Sequence, residues 1–114
     1  MKDIYEIEVN EKLFSKIKQK KCSHYIFVND RVRLQYKIGN YLTFVFGEER
    51  LKVSIVNMLY FTNIKELLDM VGKEKFGYTP SVSQDKIEDS YYANYKASDI
   101  EKFGLVSVEF KLED

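Results

Sequence analysis

Apolar and polar residues alternate along several stretches of the chain, and such alternation is typical of β-strands with one buried face. Other stretches are rich in β-branched and aromatic residues, which also favour strands. Together they predict five strands, at residues 4–9, 22–28, 41–46, 51–61 and 105–112. A four-residue connection over residues 47–50 separates the third strand from the fourth, as in an antiparallel hairpin. The fourth strand is long enough to require a bulge, which we expect near Asn57.

Helical periodicity occurs between the strands, and each helical stretch follows a residue that can cap a helix N-terminus. The predicted caps are Asn10, Asn63, Ser81 and Ser98. In the third helix Ile87, Tyr91 and Tyr95 repeat every four residues, which predicts core positions with the tyrosine hydroxyls near the rim of a cleft. Helices and strands segregate along the chain, so we predict an α+β fold in which a mixed, mostly antiparallel sheet curls into a barrel with flanking helices. A single domain over residues 1–114 is expected.

Composition limits the functions that the chain can have. Lys and Arg number 18, as do Asp and Glu, so the formal net charge is zero and any contact with nucleic acid must come from a local patch. Cys22 is the single cysteine and His24 the single histidine, which excludes an intrachain disulfide and a structural zinc site. We expect no metal and no other cofactor. We also expect no membrane association, because no apolar run approaches the length of a membrane span. The expected location is the cytoplasm.

Positive charge collects in residues 12–37 although the chain is neutral overall. Cations interleaved with aromatic rings suit single-stranded nucleic acid, since the charges meet phosphates and the ring faces meet bases. The residues predicted to bind phosphate are Lys20, Lys21, Arg31, Arg33 and Lys37, and those predicted to stack on bases are Tyr25 and Phe27. The simpler alternative is a solvated basic loop between two core strands, with lysines favoured at the end of the first helix.

Four short strings of residues have the order and spacing of a known family. They are Phe14-x-x-Ile17-Lys18-x-x-Lys21, Lys37-Ile38-Gly39-Asn40-x-Leu42-Thr43-Phe44, Phe61-x-x-Ile64-x-Glu66-Leu67-Leu68, and Tyr91-x-x-x-Tyr95 continuing through residues 99–110. Over Ile4 to Phe110 the chain resembles the ASCH domain, a member of the PUA-like superfamily of small β-barrels linked to RNA. The resemblance implies a cleft, lined by the strand after the first helix, that accepts RNA or a modified nucleoside.

The same resemblance implies an enzymatic alternative, because some ASCH relatives are amidohydrolases that deacetylate N-acetylated cytidine with a lysine, a threonine and a glutamate. The candidate catalytic residues here are Lys21, Ser23 and Glu74. The family's pattern of glycine, lysine, glutamate or threonine, and arginine is incomplete in either alignment. The favoured gapless match places Lys20, Cys22, Tyr25 and Phe27 at those positions, and a match shifted by one keeps Lys21 as the lysine but places His24 and Ile26 at the last two. Lys21 would also need burial to lower its pKa before it could act as a base or a nucleophile.

The leading prediction is therefore a monomeric ASCH-type domain that binds RNA, a nucleotide or a modified nucleoside in a basic, aromatic-lined cleft without catalysis. The first alternative is an amidohydrolase acting on an acylated pyrimidine nucleoside. The second is a protein-interaction module whose aromatic surface contacts a partner. Convergence of Lys21, Ser23 and Glu74 in one pocket would favour the enzyme over the other two.

Overall fold

Within residues 4–113, the part of the chain that a computed structural model describes, five strands form one sheet and four helices pack around it. The strands are β1 (Ile4–Glu8), β2 (His24–Val28), β3 (Tyr41–Phe46), β4 (Glu49–Phe61) and β5 (Leu105–Leu112). The helices are α1 (Glu11–Lys18), α2 (Ile64–Val71), α3 (Gln84–Asn94) and α4 (Ala97–Phe103). Two short 3-10 segments, Arg33–Gln35 and Lys73–Phe76, follow β2 and α2. Residues 1–3 and 114 of the predicted domain lie outside the described part.

The sheet has the order β1-β3-β4-β5-β2 and curls into a half-barrel. β1 runs parallel to β3, and the other neighbouring strands are antiparallel. The strands β1 and β2 form the two edges, and an aromatic chain links their side chains: the Tyr36 ring lies 4.5 Å from that of Tyr5 and 5.6 Å from that of Phe27, between centroids. This arrangement confirms the predicted curled α+β fold.

The connection between β3 and β4 is shorter than the alternation pattern predicts. Phe46 pairs with Glu49, so Gly47 and Glu48 alone form the turn, and the four-residue connection is wrong. Gly47 has a φ of +60°, which a two-residue hairpin turn requires and which glycine adopts without strain. The predicted bulge in β4 is confirmed, because the register with β5 shifts between Ile55 and Asn57.

The N-terminal caps of the first two helices are confirmed. The side-chain oxygens of Asn10 and Asn63 each accept a hydrogen bond from a backbone N–H three residues later, at 2.8 Å. These bonds satisfy donors that the first turn of a helix leaves free, and they fix where α1 and α2 begin.

The predicted caps of the third and fourth helices are wrong. Ser81 lies in the preceding loop, where its hydroxyl is 2.9 Å from that of Thr79, and the helix is capped by Ser83. Ser98 lies inside α4, which begins at Ala97 without a side-chain cap. Several serines in one polar stretch offer equivalent caps to the sequence pattern, and tertiary packing selects among them.

Two groups of buried side chains hold the fold together, one on each face of the sheet. The first fills the inside of the curl and includes Ile17, Phe27, Leu42, Phe44, Val53, Val106 and Val108. The second lies between the other face and the helices, and includes Ile26, Ile64, Leu67, Ile87, Ile100 and Leu105. β5 contributes to both groups, which confirms that the last strand lies inside the sheet.

Candidate functional site

A cavity of about 610 Å³ opens between α1, β2, α3 and the segment that follows α2. We call it the main cavity. Its polar and aromatic lining consists of Asn10, Lys12, Lys16, His24, Tyr25, Phe76, Tyr78, Thr79, Ser90, Tyr91, Asn94 and Tyr95. Its volume lies within the range of small-molecule sites in proteins, about 300–1,000 Å³.

The amphipathic pattern of α1 brings two lysines to the main cavity. Phe14 and Ile17 are buried in the core, and Lys12 and Lys16, four residues apart and therefore on one side of the helix, line the cavity. The Lys16 ammonium donates a hydrogen bond to the backbone carbonyl of Gly77. Within residues 4–113 no carboxylate forms an ion pair with either lysine. Both positive charges are therefore available to an anionic ligand.

Two lysine side chains hold the segment that carries Tyr78 by donating hydrogen bonds to its backbone carbonyls. Lys73 Nζ donates to the carbonyl oxygens of Pro80 at 2.9 Å and Val82 at 2.5 Å, while Lys16 holds Gly77. Gly77 has a φ of +91°, and a Cβ there would approach Lys16 Cδ to 3.2 Å. A side chain at this position would be strained and would crowd the lysine.

Four tyrosines form most of the aromatic part of the lining, beside Phe76 and His24. The rings of Tyr91 and Tyr95, four residues apart at the end of α3, are stacked with centroids 5.9 Å apart. The hydroxyl of Tyr95 donates to the carbonyl of Ile26 at 2.8 Å, which ties this end of the helical layer to β2. This bond and the stacking hold the two rings in place.

The main cavity is electropositive at neutral pH. No Asp or Glu of the described chain lines it. Burial raises the pKa of Tyr25, Tyr91 and Tyr95, so these phenols stay neutral and cannot offset the lysines. Neutral phenols both donate and accept hydrogen bonds, while the two ammonium groups favour an anion. The chemistry of this lining suits a ligand that has an aromatic part and a negative charge.

His24 lies in the lining between two polar neighbours. Its Nδ1 is 2.8 Å from Ser23 Oγ, and its Nε2 is 3.7 Å from Glu109 Oε1. The second distance is too long for a hydrogen bond, so the three groups do not form the relay of a serine hydrolase. Burial lowers the pKa of His24, with Glu109 opposing the shift and Lys75 adding to it.

The lowered pKa of His24 predicts a pH-dependent stability. Below its ordinary pKa of 6.5, the unfolded chain binds a proton at this site before the folded protein does. The free energy of unfolding should therefore fall as the pH drops below about 6.5, and His24→Gln should remove that part of the decrease. Melting temperatures of both proteins between about pH 7.5 and 5 measure the effect. An NMR titration that placed the pKa of this single histidine at or above 6.5 would contradict it.

The three predicted catalytic residues do not share a site. Lys21 is exposed and lines a depression on α1 with Glu11 and Gln19, whereas Ser23 lines a different cavity beside β5. Glu74 is exposed on the segment after α2 and lines none of these cavities. The three residues therefore do not converge in one pocket, as the enzymatic alternative requires.

Of the two rings predicted to stack on bases, one is available and one is not. Tyr25 lines the main cavity. Phe27 is 2% exposed and belongs to the core, so the prediction that it stacks on a base is wrong. It lies two residues from Tyr25 on the same strand face, but Tyr36 and the guanidinium of Arg33 cover its ring.

The predicted phosphate-binding cations lie outside the main cavity. Lys21, Arg31 and Lys37 are exposed, and Lys20 is exposed at the end of α1 with a φ of +63°. Arg33 is half-buried over the Phe27 ring and lines a neighbouring cavity. The cations of the main cavity, Lys12 and Lys16, were missed among the candidate residues. Their four-residue spacing on an amphipathic helix indicates that they lie on the same side of the helix, and this was the feature of the sequence that could have identified them.

Two solved structures share this fold over nearly the whole chain. The crystal structure of hypothetical protein PH0355 has a TM-score of 0.86 and 26% sequence identity, covering 97% of this chain and 100% of that one. The solution NMR structure of protein PF0455 from Pyrococcus furiosus has a TM-score of 0.79 and 25% identity, covering 98% of this chain and 99% of that one. No protein-family model matches the sequence, and no curated protein matches it either.

Two further features are absent from the described part of the chain. None of its helices has the length and apolar character needed to cross a membrane. Among residues 4–113, no group of three or more His, Cys, Asp or Glu side chains is arranged to hold a metal ion.

Proposed function

We propose that this protein is an ASCH-type domain that binds single-stranded RNA, one nucleotide of which enters the main cavity. The base lies among the tyrosine rings, and Lys12 and Lys16 meet the phosphate. A single observation carries the proposal: four tyrosines and two lysines without carboxylate partners line one cavity of about 610 Å³ that contains no Asp or Glu of the described chain. The resemblance of the sequence to ASCH domains supports the same class of ligand.

The chemistry of the lining favours an unpaired nucleotide over a duplex. A base inside a duplex is stacked on its neighbours and cannot enter a pocket, whereas an unpaired base can be turned out and stacked on a side chain. Stacking on an aromatic ring contributes about 1–3 kcal/mol per base and tolerates different bases. Hydrogen bonds between the phenols and the edges of the base would add selectivity.

Catalysis is not part of the proposal. The predicted catalytic residues lie in separate places, and burial raises the pKa of the Cys22 thiol to about 11, which keeps it protonated at neutral pH. The main cavity also lacks a carboxylate among the described residues, so the glutamate of the family's amidohydrolases has no counterpart there.

Anisotropy of a fluorescently labelled RNA tests the proposal. A short single strand should bind, and the same sequence in a duplex should bind at least tenfold more weakly because its bases cannot leave the stack. With two phosphate contacts, the slope of log affinity against log salt should be near −1.4, at about −0.7 per contact.

Two results would contradict the binding proposal. The first is an absence of binding to single strands even at low salt. The second is equal affinity for the duplex, which would indicate a surface patch that attracts any polyanion.

A further inference from the structure

A second, smaller cavity of about 310 Å³ adjoins the main cavity. The two share Asn94 and Tyr95, at the C-terminal end of α3. Because the same two residues line both, a ligand that fills the main cavity and extends past them arrives at the second. We call this smaller cavity the second subsite.

We propose that RNA crosses Asn94 and Tyr95 and places a second, linked nucleotide in the second subsite. The protein would then select a strand of at least two nucleotides over a free mononucleotide. This inference rests on the proposed function, and it identifies which form of nucleotide the site selects.

Arg33 supplies the cation of the second subsite and is held in a fixed position. Its guanidinium carbon lies 4.8 Å from the centroid of the buried Phe27 ring, and its NH1 is 3.6 Å from Asp30 Oδ2. Asp30 is itself fixed, because its Oδ1 accepts hydrogen bonds from the backbone N–H groups of Val32 and Arg33. The Arg33 side chain is nevertheless 26% exposed. A positioned guanidinium on a partly exposed side chain suits a phosphate oxygen.

The rest of the lining suits one nucleotide better than a longer anion. Lys96 adds a second positive charge, and Asp30 and Asp99 add two negative ones, so the formal charges of the second subsite balance. Phe103 is 39% exposed and offers a ring for the second base. A balanced site of this size accepts a sugar and a base with one phosphate, whereas a triphosphate would meet the carboxylates.

Calorimetry with short ligands tests the inference. Each of the four 5′-mononucleotides is compared with the matching 5′-phosphorylated dinucleotide, and we expect the dinucleotide to bind about tenfold more tightly. Arg33→Gln should abolish this gain, so that the dinucleotide binds no more tightly than the mononucleotide. Because Arg33 also covers Phe27, the exposed Lys96→Gln provides a second variant, which should reduce the gain without affecting the fold. Arg31→Gln is the matched control, since Arg31 is exposed and lines neither cavity.

The outcomes separate this inference from the proposed function. Equal affinity for mononucleotide and dinucleotide would overturn the second subsite and leave binding in the main cavity standing. A gain that survives both Arg33→Gln and Lys96→Gln would place the second nucleotide elsewhere and also overturn it. If neither ligand binds, both proposals fail.

Discussion

Val108→Asp should lower the free energy of unfolding by about 3–5 kcal/mol, enough to leave much of the protein unfolded. Val108 is 0% exposed, lies on β5, an interior strand between β4 and β2, and packs in the core inside the curl. Its strand neighbours in the register are Tyr25 and Met58. A carboxylate placed there would lose its hydration without gaining a cation, which is among the most costly substitutions a core can undergo. Urea unfolding followed by circular dichroism measures the loss.

Lys111→Asp is the control for the substitution at Val108. Lys111 is exposed on the same strand, so an aspartate there stays hydrated and should change the stability by no more than about 0.5 kcal/mol. If Val108→Asp unfolded at the same urea concentration as the unsubstituted protein, the placement of β5 inside the sheet would be refuted.

The elements that the sequence predicts correctly are those whose signal is local. The alternation of β5 and the caps Asn10 and Asn63 depend on residues within one strand or one helical turn. The hairpin turn was predicted too long because Glu49 and Arg50 are polar and exposed, although they pair in the ladder. Side-chain polarity indicates which face of a strand is exposed to solvent, but it does not indicate whether the backbone is paired with a neighbouring strand.

The candidate site was harder to predict because its parts come from distant positions. Tyr25 and Phe27 look equivalent in the sequence, and only the segment that carries Tyr36 decides that Phe27 is covered. Lys16 reaches the carbonyl of Gly77, a residue 61 positions away. The spacing of Lys12 and Lys16 predicts that they share a side of α1, but the aromatic lining near them depends on how α3 packs against β2.

Lys12→Met and Lys16→Met should each weaken binding of single-stranded RNA about tenfold or more, since a hydrogen bond to a charged group contributes about 1.5–3 kcal/mol. The salt slope should also become shallower by about 0.7 for each lost phosphate contact. Lys18→Met is the matched control, because Lys18 is exposed on the same helix and lines neither the main cavity nor the second subsite. It removes the same charge and should leave specific binding nearly unchanged.

The comparison of Lys12→Met with Lys18→Met is the most direct test of the claim that the main cavity is the RNA site. Lys16 donates a hydrogen bond to Gly77, whereas Lys12 is exposed and makes no such bond. Lys12→Met should therefore leave the fold and the melting temperature unchanged. The proposed site predicts that Lys12→Met weakens binding about tenfold while Lys18→Met does not. If both variants lose affinity equally, or neither loses any, RNA does not bind in this cavity.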